Sequence, residues 1–187
     1  MWPDRHLLIL CPHCRGVLWN NEQEQVGEIQ PWATPGQRDA FKDAQYFEIP
    51  SAEDYLVALG EIDLDRGKER YLRLRAWRAG NDDRRHGDAT LPLSVAETAN
   101  LLDLVELLDE SDQNDWLLKA EAFRELGRFE DALALLSQKF NRELSQMVTT
   151  IKKLALLHDP FVKEIFTGRQ GLLGATIFIA NPDGPPW

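Results

Sequence analysis

The sequence predicts a mainly α-helical fold, a helical bundle, with a small β-containing region near the amino-terminal end. Three observations support this prediction. From about residue 51 to residue 157, apolar residues recur at spacings of three and four, as on one face of a helix. Serine and acidic residues stand before these stretches, where they can cap helices. Near the amino terminus, by contrast, two short apolar runs flank a turn-forming segment, which is typical of a β-hairpin.

Composition and charge limit the classes of protein and partner. Of the 187 residues, 43% are hydrophobic and 28% are charged, as in a folded protein. The formal net charge of -10 opposes binding to nucleic acids and to anionic membranes. The apolar runs are too short for a signal peptide or a membrane-spanning helix. We therefore expect a cytoplasmic protein.

The chain divides into three regions by sequence pattern. Residues 1–50 are expected to form a small β-containing and irregular region, because prolines and glycines interrupt residues 20–47. Residues 51–166 are expected to form the helical domain. Residues 167–187 are rich in glycine and proline, with a strand expected at residues 175–180. That strand requires a partner, and we expect it to pack on the amino-terminal region.

Two short strands, Leu7–Leu10 and Val17–Trp19, are predicted on either side of a cysteine-containing turn, residues 11–16. Cys11 and Cys14 are separated by two residues on this turn, which resembles one knuckle of a zinc ribbon. The resemblance implies a zinc ion bound by Cys11 and Cys14, with His13 as a further candidate ligand. A structural zinc ion takes four ligands, so His6, His86, His158 or a second chain would complete the site.

Two other interpretations of the turn remain open. The segment Cys-Pro-His-Cys also resembles the motif of thioredoxin-fold oxidoreductases, which implies thiol–disulfide exchange through Cys11 and Cys14. Alternatively, the two thiols are reduced, inert and packed beside Trp19.

Five helical stretches follow in order. Ser51 precedes a helix that continues through Leu59. A second helix is expected from Asp65 to Ala79, ended by Gly80. A third begins at a capping box formed by Ser94 and Glu97, and its predicted apolar face consists of Val95, Leu101, Leu102, Val105, Leu107 and Leu108. An acidic cluster, residues 109–112, is expected to cap the next helix, which begins near Asn114, and a final helical stretch spans residues 141–157 before Pro160.

The second helix carries many basic residues. Between Arg66 and Arg85 there are eight arginines and lysines, with Tyr71 and Trp77 among them. This pattern could contact nucleic acid, but interspersed acids favour a helix in which the charges pair and the aromatic residues face the core. The segment 81–86 is expected to be a loop and could form a polar site.

The fourth helix opens a helical hairpin over residues 116–136. Its bulky, small and aromatic residues stand at Trp116, Ala120, Phe123, Gly127, Phe129, Ala132 and Leu136. Gly127 is expected to supply the turn between the two helices. This pattern resembles a tetratricopeptide repeat, and the resemblance implies two antiparallel helices and a peptide-binding scaffold with Trp116, Phe123 and Phe129 in contact with the partner. Lys119, Lys139 and Leu144 depart from the family pattern, and no second copy occurs 34 residues away. Any tightly crossed helical pair would use similar residues.

No phosphate-binding glycine loop, nucleophile elbow or metalloprotease histidine pair occurs. We therefore expect a non-enzymatic interaction or adaptor protein that binds a protein partner or associates with itself. The alternative is an enzyme that uses Cys11 and Cys14. Zinc is the one cofactor that the sequence suggests.

Overall fold

The computed structural model describes residues 7–28, 32, 34–39, 41–61 and 64–163. These residues form a mainly α-helical protein with a small two-stranded sheet, as predicted. The chain divides into two compact units, the first ending at Ser51 and the second beginning at Ala52. The tail, residues 167–187, and the strand expected at 175–180 lie outside the described residues. No helix in the described ranges has the length and apolar character needed to cross a membrane.

The first unit contains the predicted hairpin. Strand β1 (Leu8–Leu10) pairs antiparallel with β2 (Val17–Trp19). Leu8, Leu10 and Trp19 are buried, because alternate side chains of the two strands point to the same face. Leu10 also exchanges backbone hydrogen bonds of 3.0 and 3.2 Å with Glu48, which fixes a later part of the unit to β1. Helix α1 (Pro35–Asp39) is short and lies in the segment predicted to be irregular.

The second unit begins with α2 (Ala52–Glu61) and α3 (Arg66–His86), which pack against each other. Asp65 caps α3, accepting a 2.8 Å hydrogen bond from the Lys68 amide. Helix α3 is longer than the sequence predicted, since it continues through Gly80. The prediction that Gly80 ends the helix was wrong, and so was the prediction of a loop at residues 81–86.

Gly80 has a packing role that explains its presence inside a helix. A Cβ atom at this position would lie 2.5 Å from Oε1 of Glu97. Glu97 completes the capping box of α4 (Val95–Leu107) with Ser94, as predicted. Glycine at position 80 therefore allows the start of α4 to approach α3 closely.

The buried face of α4 differs from the predicted one. Leu101, Leu104 and Val105 are buried, but Val95 is 88% exposed and Leu102 is 42% exposed. The predicted face was too wide because it included the adjacent residues Leu101 and Leu102. Adjacent residues lie about 100° apart around the helix axis, so Leu102 points away from the face that buries Leu101. Val95 stands at the first helical position and points away from the core.

Helices α5 (Gln113–Glu125) and α6 (Phe129–Leu135) form the predicted hairpin. Asp112 caps α5 through a 2.8 Å hydrogen bond from the Asn114 amide, which confirms the predicted role of the acidic cluster. The hairpin turns at Gly127, whose φ of 74° lies in the left-handed region. The amides of Gly127 and Arg128 donate hydrogen bonds of 3.0 and 2.8 Å to the last turn of α5, forming a Schellman motif.

Helix α7 (Ser145–Leu156) follows a short 3-10 turn and packs on α5 and α6. It ends in a second Schellman motif, with His158 at a φ of 53° in the position that Gly127 has after α5. The His158 ring stacks on Phe129 with ring centres 4.8 Å apart. This contact connects the end of α7 to the start of α6.

Candidate functional site

The cysteine turn is closed by backbone hydrogen bonds. The Cys11 amide donates to the Gly16 carbonyl at 2.9 Å, and the Arg15 amide donates to the Cys11 carbonyl at 2.8 Å. Arg15 has a φ of 57°, a left-handed conformation that is uncommon for a residue with a side chain. No disulfide joins Cys11 and Cys14; Cys11 is half-buried and Cys14 is exposed.

Backbone amides are directed at the two sulfur atoms. The Gly16 amide donates to Sγ of Cys14 at 3.4 Å. Hydrogen bonds from the backbone amides of Cys14 and His13 lower the pKa of the Cys11 thiol below its ordinary value. The turn is therefore arranged to stabilise negative charge on sulfur.

The structure places two of the predicted metal ligands together. In the described ranges, no set of three histidine, cysteine or acidic residues converges as a metal site, so His13 does not form such a set with Cys11 and Cys14. His86 is the last residue of α3, and His158 follows α7, both in the second unit. For the redox interpretation, Cys14 is followed by β2, whereas a helix start is the usual feature that activates a nucleophilic thiol.

The aromatic residues predicted to bind a partner take part in packing. Phe123 is buried in the core, and the Arg128 guanidinium lies 4.3 Å from its ring centre. Phe129 packs against the same core, and Trp116 is half-buried with its ring edge-on to Phe140. Their role in binding stays a prediction, since each of these side chains already contacts its own chain.

A buried ionic cluster lies on α5. The Arg124 side chain is completely buried and makes two hydrogen bonds to the Glu121 carboxylate, at 2.6 and 2.8 Å. Its Nη1 atom donates to the backbone carbonyls of Asp159 and Phe161 at 2.5 and 3.0 Å. Arg124 thus fixes the segment after α7 to the central helix α5.

Glu125 connects this cluster to α3. Its carboxylate accepts hydrogen bonds from Trp77 Nε1 at 2.7 Å and from Asn81 Nδ2 at 3.0 Å. Burial, reinforced by the nearby charge of Glu121, raises the pKa of Glu125 to about 7 despite the opposing effect of Arg124.

The cavity beside the cluster has a volume of about 40 Å³ and is bordered by Trp77, Asn81, Glu121, Glu125 and Val162 among others. This volume accommodates one or a few water molecules. The cluster therefore serves to hold helices together, and its cavity is too small for an organic substrate.

Sequence reasoning missed this cluster. The spacing of Glu121, Arg124 and Glu125 is that of ion pairs on an exposed helix surface, so the sequence did not predict their burial. The available signal was the rest of α5: Leu117, Leu118, Ala120, Ala122 and Phe123 surround the helix with apolar side chains, which indicates a helix buried on most sides.

Two arginines of α3 pair with acids of the same helix, as the sequence indicated: Arg73 with Glu69 and Arg85 with Asp82. Others pair with acids of neighbouring helices, which the sequence did not indicate. Arg70 contacts Asp115 of α5 at 2.5 Å, and Arg73 contacts Asp103 of α4 at 2.9 Å. Arg84, which is buried, contacts Glu97 at 2.7 Å. These contacts tie α3 to α4 and α5, so the basic residues of α3 contribute to the fold.

A groove lined in part by apolar side chains runs along α6 and α7. It has a volume of about 600 Å³ and is bordered by Leu136, Val148, Thr149, Lys152, Lys153, Leu156 and Leu157. Leu156 and Leu157 are 63% and 65% exposed. Lys152 and Lys153 are exposed at its edge, and neither ammonium group pairs with a carboxylate of the described residues.

Comparisons with protein-family models, with curated proteins and with solved structures find no match to this chain.

Proposed function

We propose that this chain is a non-enzymatic protein-interaction module, and that the groove along α6 and α7 binds a partner segment carrying apolar residues beside aspartate or glutamate. The observation that carries the proposal is the exposure of Leu156 and Leu157 at the end of an apolar groove. The resemblance of α5 and α6 to a tetratricopeptide repeat supports it, because such hairpins serve as peptide-binding scaffolds.

The groove offers apolar area to a partner. Exposed leucines that line one concave surface lose unfavourable contact with water when a partner covers them. Complete burial of a leucine side chain is worth roughly 1.5–3 kcal/mol, and Leu156 and Leu157 are each about two-thirds exposed. Burial of both leucines therefore contributes roughly 2–4 kcal/mol to the free energy of binding. The leucines alone give weak binding, and further contacts must raise the affinity.

Charge selects the class of partner. The chain has a net charge of -10, yet the edge of this groove carries two adjacent lysines without a carboxylate partner among the described residues. A segment with acidic side chains beside its apolar ones would satisfy both the lysines and the groove. The chain as a whole repels nucleic acid, which makes a protein segment the better-supported occupant.

A peptide selection tests the proposal. A random peptide library displayed on phage is selected against the immobilised full chain. We expect enriched peptides in which leucine-like residues stand near aspartate or glutamate. A control selection uses Lys42→Glu, which changes an exposed lysine of the first unit by the same charge, whereas Lys153→Glu changes the groove itself.

The outcomes separate the possible occupants. Loss of the acidic enrichment with Lys153→Glu and its persistence with Lys42→Glu would support the proposal. Equal enrichment on both variants, or binding that survives Leu156→Asp, would contradict it. Reversible self-association that Leu156→Asp abolishes would also contradict it, because a second copy would then occupy the groove. Far-UV circular dichroism of each variant checks that the helices remain folded.

A further inference from the structure

We propose that Cys11 and Cys14 are one half of a zinc site and that the same two residues of a second copy complete it, so that a single Zn²⁺ joins two chains through four thiolates. This inference goes beyond the proposed docking function, because it involves the first unit and does not depend on the groove in the second.

The geometry of the turn is that of a metal-binding half-site. Both sulfur atoms belong to one tight turn between β1 and β2, and the backbone amide of Gly16 donates to Sγ of Cys14 at 3.4 Å. Amides directed at sulfur stabilise thiolates, which are the form that binds zinc. The left-handed conformation of Arg15, with a φ of 57°, is uncommon for a residue with a side chain and is retained where it closes this turn.

A structural zinc ion needs four ligands, and the turn supplies two. The described residues contribute no third ligand to these thiols. Outside the described residues, His6 is the one remaining histidine, and there is no further cysteine. A site within one chain would therefore have to take its remaining ligands from His6, from carboxylates outside the described residues, or from water.

A second copy supplies what is missing. Two identical turns related by a two-fold axis bring four thiolates to one point, which satisfies the tetrahedral preference of zinc. The first unit also exposes five large apolar residues, Val26, Trp32, Tyr46, Phe47 and Ile49, with exposed fractions from 44% to 94%. Contact of any of these side chains with the second copy would add apolar burial to the metal link.

The assembly step involves proton release and no change of oxidation state. Each of the four thiols releases its proton to the solvent as its sulfur replaces water bound to Zn²⁺, and the resulting centre carries a net charge of two minus. Low pH therefore opposes assembly, because protons compete with the metal for sulfur.

Zinc stoichiometry and molecular mass, measured on the same sample, test the proposal. The full chain is purified without a histidine tag, loaded with Zn²⁺ and freed of excess metal. We expect one zinc per two chains by elemental analysis and a dimer by analytical ultracentrifugation. Addition of EDTA should remove the zinc and produce monomers.

Variants identify the ligands. Cys11→Ser and Cys14→Ser should each lose the zinc and the dimer, whereas His13→Ala and His6→Ala should keep both. Leu156→Asp should also keep both, so a failure of the groove proposal leaves this test unaffected. Circular dichroism monitors the helical unit throughout.

Three results would overturn the inference. One is a monomer with one zinc per chain that His6→Ala strips of metal, which would identify a site within one chain. Another is a chain that binds no zinc at the micromolar concentrations used. The third is a dimer that persists in EDTA and in Cys14→Ser.

Discussion

Replacing Glu125 by glutamine changes the titration of the buried cluster with little change in its shape. A glutamine side-chain oxygen can accept the same hydrogen bonds from Trp77 and Asn81 that the carboxylate accepts. The substitution removes the ionisable group while keeping the volume of the side chain. Any change in the pH dependence of stability can therefore be assigned to the charge of Glu125.

The magnitude follows from the pKa of this group. Its pKa is raised from the ordinary 4.5 to about 7, chiefly by burial. A carboxyl group whose pKa is higher in the folded state stabilises the fold at low pH, and this contribution is lost as the pH rises through the folded value. Each pH unit between the two values is worth about 1.4 kcal/mol, so the contribution of Glu125 to the free energy of unfolding should fall by roughly 3 kcal/mol between pH 4.5 and pH 7.5.

Urea denaturation at pH 5, 6, 7 and 8, followed by circular dichroism of the helices, measures this loss. The glutamine variant should match the native protein near pH 5 and be more stable by roughly 2–3 kcal/mol at pH 8. Other groups titrate in both proteins, so the difference between the two stability curves isolates Glu125. Asp88, Glu97, Asp109 and Asp159 have lowered pKa values and act at more acidic pH.

Parallel stability curves for the two proteins between pH 5 and pH 8 would refute the reasoning. They would mean that Glu125 keeps its charge at neutral pH and that Arg124 outweighs the effect of burial. A variant that is less stable at every pH would mean that glutamine cannot replace the hydrogen bonds of the carboxylate.

Three further predictions concern stability and use urea denaturation at pH 7. Gly60→Ala adds a methyl group where a helix has open space, and it should raise the free energy of unfolding by about 0.5–1 kcal/mol. Gly80→Ala should not raise it, because the new methyl group meets Glu97. Equal gains for the two variants would contradict the packing role of Gly80. Arg124→Met should lower the free energy of unfolding by about 3–5 kcal/mol, since it leaves buried Glu121 without a cation. Arg128→Met breaks an exposed pair with Asp131 and should lower it by less than about 1 kcal/mol. Similar losses would show that burial does not distinguish the two arginines. Gly127→Ala should cost roughly 1–2 kcal/mol because alanine resists the left-handed backbone of the turn, and an unchanged midpoint would argue against that strain.

The sequence predicted those elements that local chemistry determines. The capping box at Ser94 and Glu97, the glycine turn at Gly127 and the β1–β2 hairpin each depend on residues close together in the chain. Such signals need no knowledge of which helices pack together, and all three are confirmed.

The failures occurred where tertiary contacts override local preference. In the sequence, a glycine at position 80 indicates the end of a helix. In the structure, Gly80 lies inside α3, and its packing against Glu97 explains why a glycine stands there. Likewise, a spacing of three to four residues cannot tell an exposed ion pair from the buried contact of Arg124 with Glu121. Their burial depends on α3 and the segment after α7, which are distant in sequence.

The affinity of one selected acidic peptide for three forms of the full chain tests the central claim most directly. Fluorescence anisotropy at low salt compares the native chain with Lys153→Glu and Lys42→Glu. Replacing an attractive contact by a repulsive one at the groove should cost about 1 kcal/mol, so Lys153→Glu should bind roughly fivefold more weakly while Lys42→Glu binds like the native chain. Equal affinity for all three forms would contradict docking at the α6–α7 groove.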